Sequence, residues 1–370
     1  MRVVLSGGGT GGHIYPAVAI ARQCQTEHPD TQILYIGTTK GLESTLIPKE
    51  NIPFEAIEIT GFRRKLSMEN VKTVVRFLKG VSRSKKILKE FKPDVVIGTG
   101  GYVCGPVVYA ASKLGIPTMI HEQNAIPGLT NNFLSRYADT VALSFKESQN
   151  QFKQAKHVLF TGNPRATAVY HADRKKGYAS LGIPEGSRIV LIVGGSRGAK
   201  AINEAMMGMA SHLTRLPDVY FVYVTGESYY ANTLEKIQQT VNPMPKRLQI
   251  LPYLHNMPDV LAATSLVIGR SGASSLAEMT SLGIPSILIP SPNVTNNHQE
   301  ANARSLERAN AAEVILEREL EGSKLFALVE NIMNDHARWD KMSEAARTLG
   351  QPDSAERIVQ EMIRLTEQNR

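Results

Sequence analysis

A chain of 370 residues is too long for one ordinary hydrophobic core and fits two domains. Its 42% hydrophobic and 21% charged residues are those of a globular protein, and no apolar run approaches the ~20 residues that span a bilayer. Two cysteines, Cys24 and Cys104, exclude a disulfide framework, and no C-x-x-C spacing offers a zinc site, so a reducing, cytoplasmic setting is expected. The formal charge of +8 is concentrated in one place: Gly61 to Lys92 carries eleven Lys or Arg against two Glu.

The N-terminal apolar run breaks at once into glycines, which is not the pattern of a secretory signal. Strands are predicted at Arg2–Ser6, 32–36, 54–59, 94–98, 117–120, 140–144 and 157–161. Helical stretches separate most of them, such as 17–28 and 128–137. Turn signals cluster at Gly162-Asn163-Pro164, and the pattern then begins again. Further strands are predicted at 189–193, 219–225, 248–251, 266–269, 286–290 and 312–315, and a final helix from Ser354 onward. The fold class is therefore α/β, two Rossmann-like doubly wound parallel-sheet domains, residues 1–163 and 164–353. The helix 354–370 is free to pack back on the first domain. Ligands are expected between the halves, beyond the carboxyl ends of the strands.

The first half is organised around SGGGTGGH, Ser6 to His13. Five glycines let the backbone approach a ligand without a Cβ in the way, and the N–H groups opening the next helix would face a phosphate. Pro16 is read as the helix start. His13 is the only titratable side chain in the turn.

Gly7, Gly9 and Gly12 satisfy G-x-G-x-x-G, so a nicotinamide dinucleotide site is one reading. It needs an acid about 20 residues on for the ribose, and the second strand runs to Thr39 with no acid before Glu43. A P-loop is excluded because no glycine precedes a lysine. Gly194-Gly195-Ser196-Arg197-Gly198 matches the nucleophile-elbow pattern, with Asp259 and His298 following in order. The alternative is a pyrophosphate-binding turn equivalent to the first. Two more turns, Gly98–Pro106 and Arg270–Glu278, follow predicted strands. In the latter, small residues open a helix aimed at phosphate, and Glu278 lies one turn in, in reach of ribose hydroxyls. No two aspartates are separated by one residue, so a D-x-D metal clamp is absent. Donor phosphates would be met by helix N-termini and side-chain donors.

The motifs GGGTGGH, GTGGYVCGP, HEQNAIPGLTN, TGNPR, GGSRGA, RSGASSLAE and NNHQEANA occur in this order along nearly the whole chain. In this the sequence resembles the MurG family of bacterial N-acetylglucosaminyltransferases, which complete lipid II of peptidoglycan. The resemblance implies a GT-B fold, its two domains facing across a cleft, and inverting transfer of GlcNAc from UDP-GlcNAc to the 4-hydroxyl of MurNAc in undecaprenyl-linked lipid I. It places acceptor and membrane binding in the first domain and donor binding in the second.

Thr10, Gly11, Gly12, Asn124 and Arg165 would line the donor site, with Ser196 on the pyrophosphate and Leu254 in the uracil-contacting loop. Ala273, Ser274, Ser275, Leu276, Ala277 and Glu278 would cradle phosphate and ribose, and Gln299 and His298 would read the GlcNAc hydroxyls. Gly100, Gly101 and Tyr102 fall to the acceptor side. Three positions depart from the family pattern. Cys104 replaces a common serine, Arg197 a frequent glutamine, and Arg165 directly follows its proline where the usual form has it one residue later.

An inverting displacement needs a base for the acceptor hydroxyl. His13 is the first candidate, because imidazole titrates near neutrality, with His121 and Glu122 as competitors. No tightly bound cofactor and no protein metal site are expected, although a divalent cation could assist.

Within the basic segment, Val71, Val74, Leu78 and Val81 read as one helical stripe facing the protein's own core. Lys72, Arg76, Lys79, Arg83 and Lys86 form a second stripe, suited to an anionic membrane surface. Phe62, Phe77 and Phe91 are too sparse for base stacking, so lipid headgroups are the expected partner and nucleic acid is not. Peripheral attachment to the cytoplasmic face of the cell membrane follows, with cell-wall synthesis or division proteins as further possible partners. Two other classes remain as readings, an NAD-dependent oxidoreductase and a non-catalytic peripheral membrane module.

Overall fold

The computed structural model describes residues 1–61, 68–195 and 197–368. The chain divides into two units, Met1–Thr167 with Pro352–Arg370, and Ala168–Gln351. Each is built on one parallel sheet.

The first sheet contains β1 (Arg2–Ser6), β2 (Gln32–Thr38), β3 (Phe54–Ile57), β4 (Val95–Gly98), β5 (Thr118–Glu122), β6 (Thr140–Leu143) and β7 (Val158–Phe160), in the order β3-β2-β1-β4-β5-β6-β7. Its central strands are continuous apolar runs because helices cover both faces. Val4, Leu34, Ile36, Val96 and Ile120 point to the side of helices Met68–Phe91 and Cys104–Lys113. Val3, Leu5, Ile33, Tyr35 and Ile97 point to the side of Gly11–Glu27 and Ser354–Gln368.

The second unit repeats the scheme with β8 (Arg188–Val193), β9 (Val219–Val224), β10 (Leu248–Leu251), β11 (Leu266–Gly269), β12 (Ser286–Leu288) and β13 (Ala312–Val314), ordered β10-β9-β8-β11-β12-β13. The strand order reverses between β1 and β4 in one sheet and between β8 and β11 in the other. A crevice opens at the carboxyl ends of the strands at such a point. All four glycine turns of the sequence follow these four strands.

Two local expectations need correction. The first helix begins at Gly11, six residues before the predicted start, and Pro16 lies inside it. The N–H groups of His13 and Ile14 both reach the Thr10 carbonyl, so the turn closes despite two glycines at its start. Proline costs the helix one N–H, whose partner would have been the carbonyl of Gly12.

In the basic helix, Val74 and Leu78 are 45% and 62% exposed; they do not face the core. The buried side is Thr73, Val81, Ser84, Ile87 and Leu88. Gly80 sets this rotation: a Cβ there would lie 3.2 Å from the Pro106 Cβ, so the helix is drawn in along its glycine side. The side chain of Val71, and all of Phe62, lie outside the described residues.

The last helix, Ser354–Gln368, packs on the first unit. Ile358, Val359, Met362 and Leu365 enter the core beside Ile14, Ala17 and Cys24, and Thr140 donates to the Glu361 carboxylate. Met362→Ala should therefore destabilise the first unit by about 2–5 kcal/mol, the usual cost of emptying a core methionine site. Urea titration followed by amide hydrogen exchange in residues of β1 and β4 would measure it.

Candidate active site

At the carboxyl ends of β1 and β4 two glycine turns meet backbone to backbone. The Gly8 N–H donates to the Gly100 carbonyl (3.2 Å), and a Cβ on Gly101 would sit 2.3 Å from the Gly8 oxygen. Gly101 has φ +82, so glycine is required there on both counts. Thr99 Oγ1 donates to the His13 carbonyl (2.7 Å), and Gln123 Nε2 donates to the Thr99 carbonyl (2.6 Å). Cys104 Sγ lies 2.8 Å from the Ser6 carbonyl and 2.9 Å from that of Gly100. The thiol thus supplies the donor that a serine hydroxyl would, and burial pushes it up to about 12, so it stays protonated.

His13 sits half-buried where these turns join. Its Nδ1 is 2.9 Å from the Gly8 carbonyl and 3.4 Å from Thr10 Oγ1. A carbonyl only accepts, so Nδ1 carries the hydrogen and, in the neutral ring, Nε2 carries the lone pair. The ring lies against Gly100, where a Cβ would approach its Cδ2 to 2.7 Å.

The two competing bases are differently placed. His121 is fully buried. Gln123 Nε2 lies 3.1 Å from its Nδ1, and its Nε2 reaches the Gly162 carbonyl (3.0 Å) and Ser144 Oγ (3.2 Å). Burial lowers it from 6.5 to about 4, so it is neutral and walled in at physiological pH. Glu122 is 2% exposed and accepts from the Asn124 N–H and side-chain amide through one oxygen, and from the Gly128 N–H and Asn131 Nδ2 through the other. Both side chains hold the HEQN loop in place: His121 is enclosed, and each Glu122 oxygen already accepts two hydrogen bonds.

Glu43, first noticed as an acid in the wrong place for a dinucleotide ribose, is fully buried beneath the first turn. One of its oxygens accepts from Gly9 N–H (3.1 Å), the other from Thr38 N–H (3.1 Å) and Oγ1 (2.6 Å). All three donors belong to the protein itself, which takes Glu43 away from the ribose of the nicotinamide reading. Glu43, Thr99 and Gln123 are the residues sequence reasoning missed. The one signal was three glycines, at 8, 37 and 41, around Glu43.

Of the remaining first-unit candidates, Thr10 and Gly12 are exposed at the start of the first helix, and Gly11 lies beneath the Tyr15 ring. The Arg165 guanidinium stacks over that same ring at 5.6 Å. Asn124 is held by Glu122, and Tyr102 packs beside Gly9 and Gly61. Arg76 donates to Thr60 Oγ1 (3.1 Å) and Arg83 pairs with Glu55 (3.0 Å), while Lys79 is exposed. The exposed Val74, Val75 and Leu78 therefore lie among basic residues on one helix.

In the second unit, helix Ala273–Leu282 opens after Gly272, whose missing Cβ would meet nothing within 4 Å. Ser274 Oγ is buried without a hydrogen-bond partner among the described residues, and Ser275 is exposed. Ala273, Leu276 and Glu278 are buried, and Ala277 is partly so. Ser271 Oγ donates to the Gln299 carbonyl and Asn302 Nδ2 to the Ser271 carbonyl, tying this turn to the NNHQEAN helix. Gln299 Oε1 accepts the Ser291 N–H (2.9 Å), which leaves its amide NH2 as the donating end. His298 Nδ1 donates to the Thr295 carbonyl (2.7 Å). Leu254 is buried in its loop. Ser196 lies outside the described residues. Among those residues no three His, Cys, Asp or Glu side chains gather as a metal site, and no helix is long and apolar enough to cross a membrane.

Two Rossmann-like parallel-sheet units, each with glycine turns at its switch point, make up this fold. The chain belongs to glycosyltransferase family 28: the family's N-terminal domain matches residues 3–143 and its C-terminal domain residues 189–358. It is 55% identical over 360 residues to the UDP-N-acetylglucosamine--N-acetylmuramyl-(pentapeptide) pyrophosphoryl-undecaprenol N-acetylglucosamine transferase of Halalkalibacterium halodurans, covering 97% of this chain and 98% of that one. The protein of the same name from Bacillus subtilis is 52% identical, with 97% and 98% covered. The crystal structure of Acinetobacter baumannii MurG matches at TM-score 0.78 and 31% identity over 98% of this chain and 99% of that one. The UDP-GlcNAc 2-epimerase of Neisseria meningitidis shares the fold, at TM-score 0.70 and 15% identity over 98% and 100%.

The environment of His121 has a consequence for stability. Its folded value of about 4 lies below the ordinary 6.5, so the unfolded chain takes up this proton first as pH falls. The first unit should therefore lose on the order of 3 kcal/mol between pH 6.5 and pH 4, with the full contribution present above pH 6.5. Urea midpoints measured across that range should show the slope in the native protein and a shallower one in His121→Gln.

Proposed function

We propose that the chain is an inverting transferase moving GlcNAc from UDP-GlcNAc to the MurNAc 4-hydroxyl of undecaprenyl-pyrophosphoryl-MurNAc-pentapeptide, lipid I, giving lipid II for peptidoglycan. The observation that carries this reading is 55% identity, across 97% of the chain, to a transferase whose name gives that donor and that acceptor. In the displacement the acceptor oxygen attacks the anomeric carbon. The bond from that carbon to the β-phosphate oxygen breaks, and its electron pair departs with UDP. The hydroxyl proton passes to His13 Nε2. Support for that role is the Nδ1 hydrogen bond to Gly8 and the half-buried position of the ring, against the enclosed His121 and the saturated Glu122.

Charge on the leaving diphosphate is assigned to the N-terminus of helix Ala273–Leu282, with the buried hydroxyl of Ser274 and the Ser196 turn. Glu278 is assigned to the ribose, Leu254 to the uracil, and Gln299 with His298 to the GlcNAc hydroxyls. Thr10, Gly11, Gly12, Asn124 and Arg165 are assigned to the donor from the first unit. Gly100, Gly101 and Tyr102 belong to the acceptor in this reading. The donor phosphates need no protein metal ligand in this scheme.

His13→Ala should lower kcat by about 10²- to 10⁴-fold, the usual worth of a positioned general base, with little change in KM for UDP-GlcNAc. Steady-state kinetics with lipid I measure this, and near-normal turnover would remove His13 from the chemistry. Calorimetry should give binding to UDP-GlcNAc and none to NADH.

Attachment to the cytoplasmic face of the membrane is supported by helix Met68–Phe91. It exposes Val74, Val75 and Leu78 between Lys72, Arg76 and Lys79. Apolar side chains that enter the headgroup layer and cations beside them act together at an anionic surface. Each cation contributes about 1 kcal/mol there, so removing Arg76 and Lys79 should weaken vesicle binding by roughly 10- to 30-fold. Arg83, engaged by Glu55, should matter less. Cosedimentation with phosphatidylglycerol vesicles at rising salt checks this, and equal binding to neutral vesicles would refute the electrostatic part.

A further inference from the structure

The carbonyl of Gly8 and the N–H of Gly9 belong to one peptide group, and each end of it is held by a side chain. His13 Nδ1 donates to the Gly8 oxygen at 2.9 Å, and the Gly9 N–H donates to Glu43 at 3.1 Å. A buried carboxyl, a peptide plane and an imidazole thus stand in series. We propose that Glu43 is a positioning residue for His13, acting through the Gly8–Gly9 peptide group; the proposal rests on the assignment of His13 as the base.

Three observations support it. First, the molecule gives up side chains to make room for this carboxyl. A Cβ on Gly8 would lie 2.6 Å from Glu43 Oε1, one on Gly41 2.1 Å from the same atom, and one on Gly37 2.7 Å from Glu43 Cγ. Gly8 from the first turn, with Gly37 and Gly41 from the segment that leads into Glu43, therefore encloses one carboxyl. Second, the two oxygens are divided: Oε1 takes both Thr38 donors, and Oε2 takes Gly9. The Thr38 pair anchors Glu43 to the end of β2, so its bond to Gly9 fixes the turn to the sheet. Third, the plane of a peptide is rigid, so fixing its N–H fixes the direction of its carbonyl. That carbonyl holds the hydrogen on Nδ1 and so assigns the lone pair of the neutral ring to Nε2. An acceptor on the N–H also polarises the peptide and strengthens its oxygen as an acceptor, as in any hydrogen-bond chain. The arrangement does for His13 what a carboxylate bonded directly to Nδ1 does in a Ser-His-Asp triad: it sets tautomer and ring orientation.

Glu43→Gln tests this with little change of volume. If the amide oxygen stays with the two Thr38 donors, its NH2 faces the Gly9 N–H, donor against donor, and the peptide plane is released while the anchor on β2 remains. We expect kcat to fall by about 10- to 100-fold, the usual cost of losing an orienting partner, with KM for UDP-GlcNAc unchanged. In spectra of protein carrying ring-¹⁵N histidine, with His13 assigned by its absence in His13→Ala, the neutral ring should carry its hydrogen on Nδ1 in the native protein. In Glu43→Gln it should populate the Nε2–H form. A loss confined to KM, or an unchanged tautomer in the variant, overturns the proposal. Should the variant not fold, the native spectrum alone decides, since a hydrogen on Nε2 there is incompatible with the relay. Normal turnover of His13→Ala would instead overturn the base assignment and leave the tautomer result standing.

Discussion

The backbone contact between Gly8 and Gly101 is the constraint on which the first unit's site depends. Two turns from adjacent strands approach until a single methyl group would collide with a carbonyl oxygen. Everything around them is then fixed by hydrogen bonds across the gap. Gly8 bonds Gly100, Thr99 bonds His13, Cys104 bonds Ser6, and Gln123 closes the series on Thr99. Each bond contributes only about 1 kcal/mol net, but an unmade one at these buried ends of β1 and β4 would cost about 1–3 kcal/mol. The turns are therefore rigid because the alternative is several orphaned backbone groups at once.

That rigidity sorts the titratable residues. Glu43 and Glu122 have carboxyls in which both oxygens accept hydrogen bonds from the protein's own strand ends and turns. His121 is enclosed and held neutral by burial. His13 differs in one respect that matters: the network grips it by Nδ1 and leaves the ring only half-buried. Glu43, His121 and Glu122 are thus held on all sides by the protein, and His13 is held on one.

The sheets were legible because buried parallel strands are continuous apolar runs, and the glycine turns because each follows such a run. All thirteen strands lie where the sequence puts them, within a few residues at the ends. Local propensity misled in two places where tertiary contact overrode it. Two glycines and a proline argue against helix at 11–16, yet the Thr10 carbonyl closes that turn. The valine stripe of the basic helix has the spacing of a core face, but the missing side chain of Gly80 turns a different face inward, against Pro106. Glu43 was illegible for another reason. Its bonds to Thr38 are local, but the one to Gly9 joins residues 34 positions apart, and no spacing rule encodes an acid that accepts from a distant turn. The replacement of serine by Cys104 is likewise explained only in three dimensions, where the thiol faces two carbonyls.

The two switch points look equivalent in sequence, and the structure distinguishes them. In the first unit the N–H groups of Gly8 and Gly9 are taken by Gly100 and Glu43, so this turn does not offer the open row of donors that a pyrophosphate needs. In the second, the turn after β8 packs against a different loop: a Cβ on Gly198 would lie 2.1 Å from the Thr225 carbonyl. The turn after β11 is consequently not closed by it. Gly272 has open space beside it, and Ser274 keeps a buried hydroxyl with no hydrogen-bond partner among the described residues, at the head of a ten-residue helix. A buried polar group left unmatched costs free energy unless something completes it, and a diphosphate oxygen is the acceptor such a hydroxyl and such a helix end would favour. Two similar sheets thus differ at their switch points: the first turn's donors are taken by the protein itself, and the head of the helix after β11 keeps space beside Gly272.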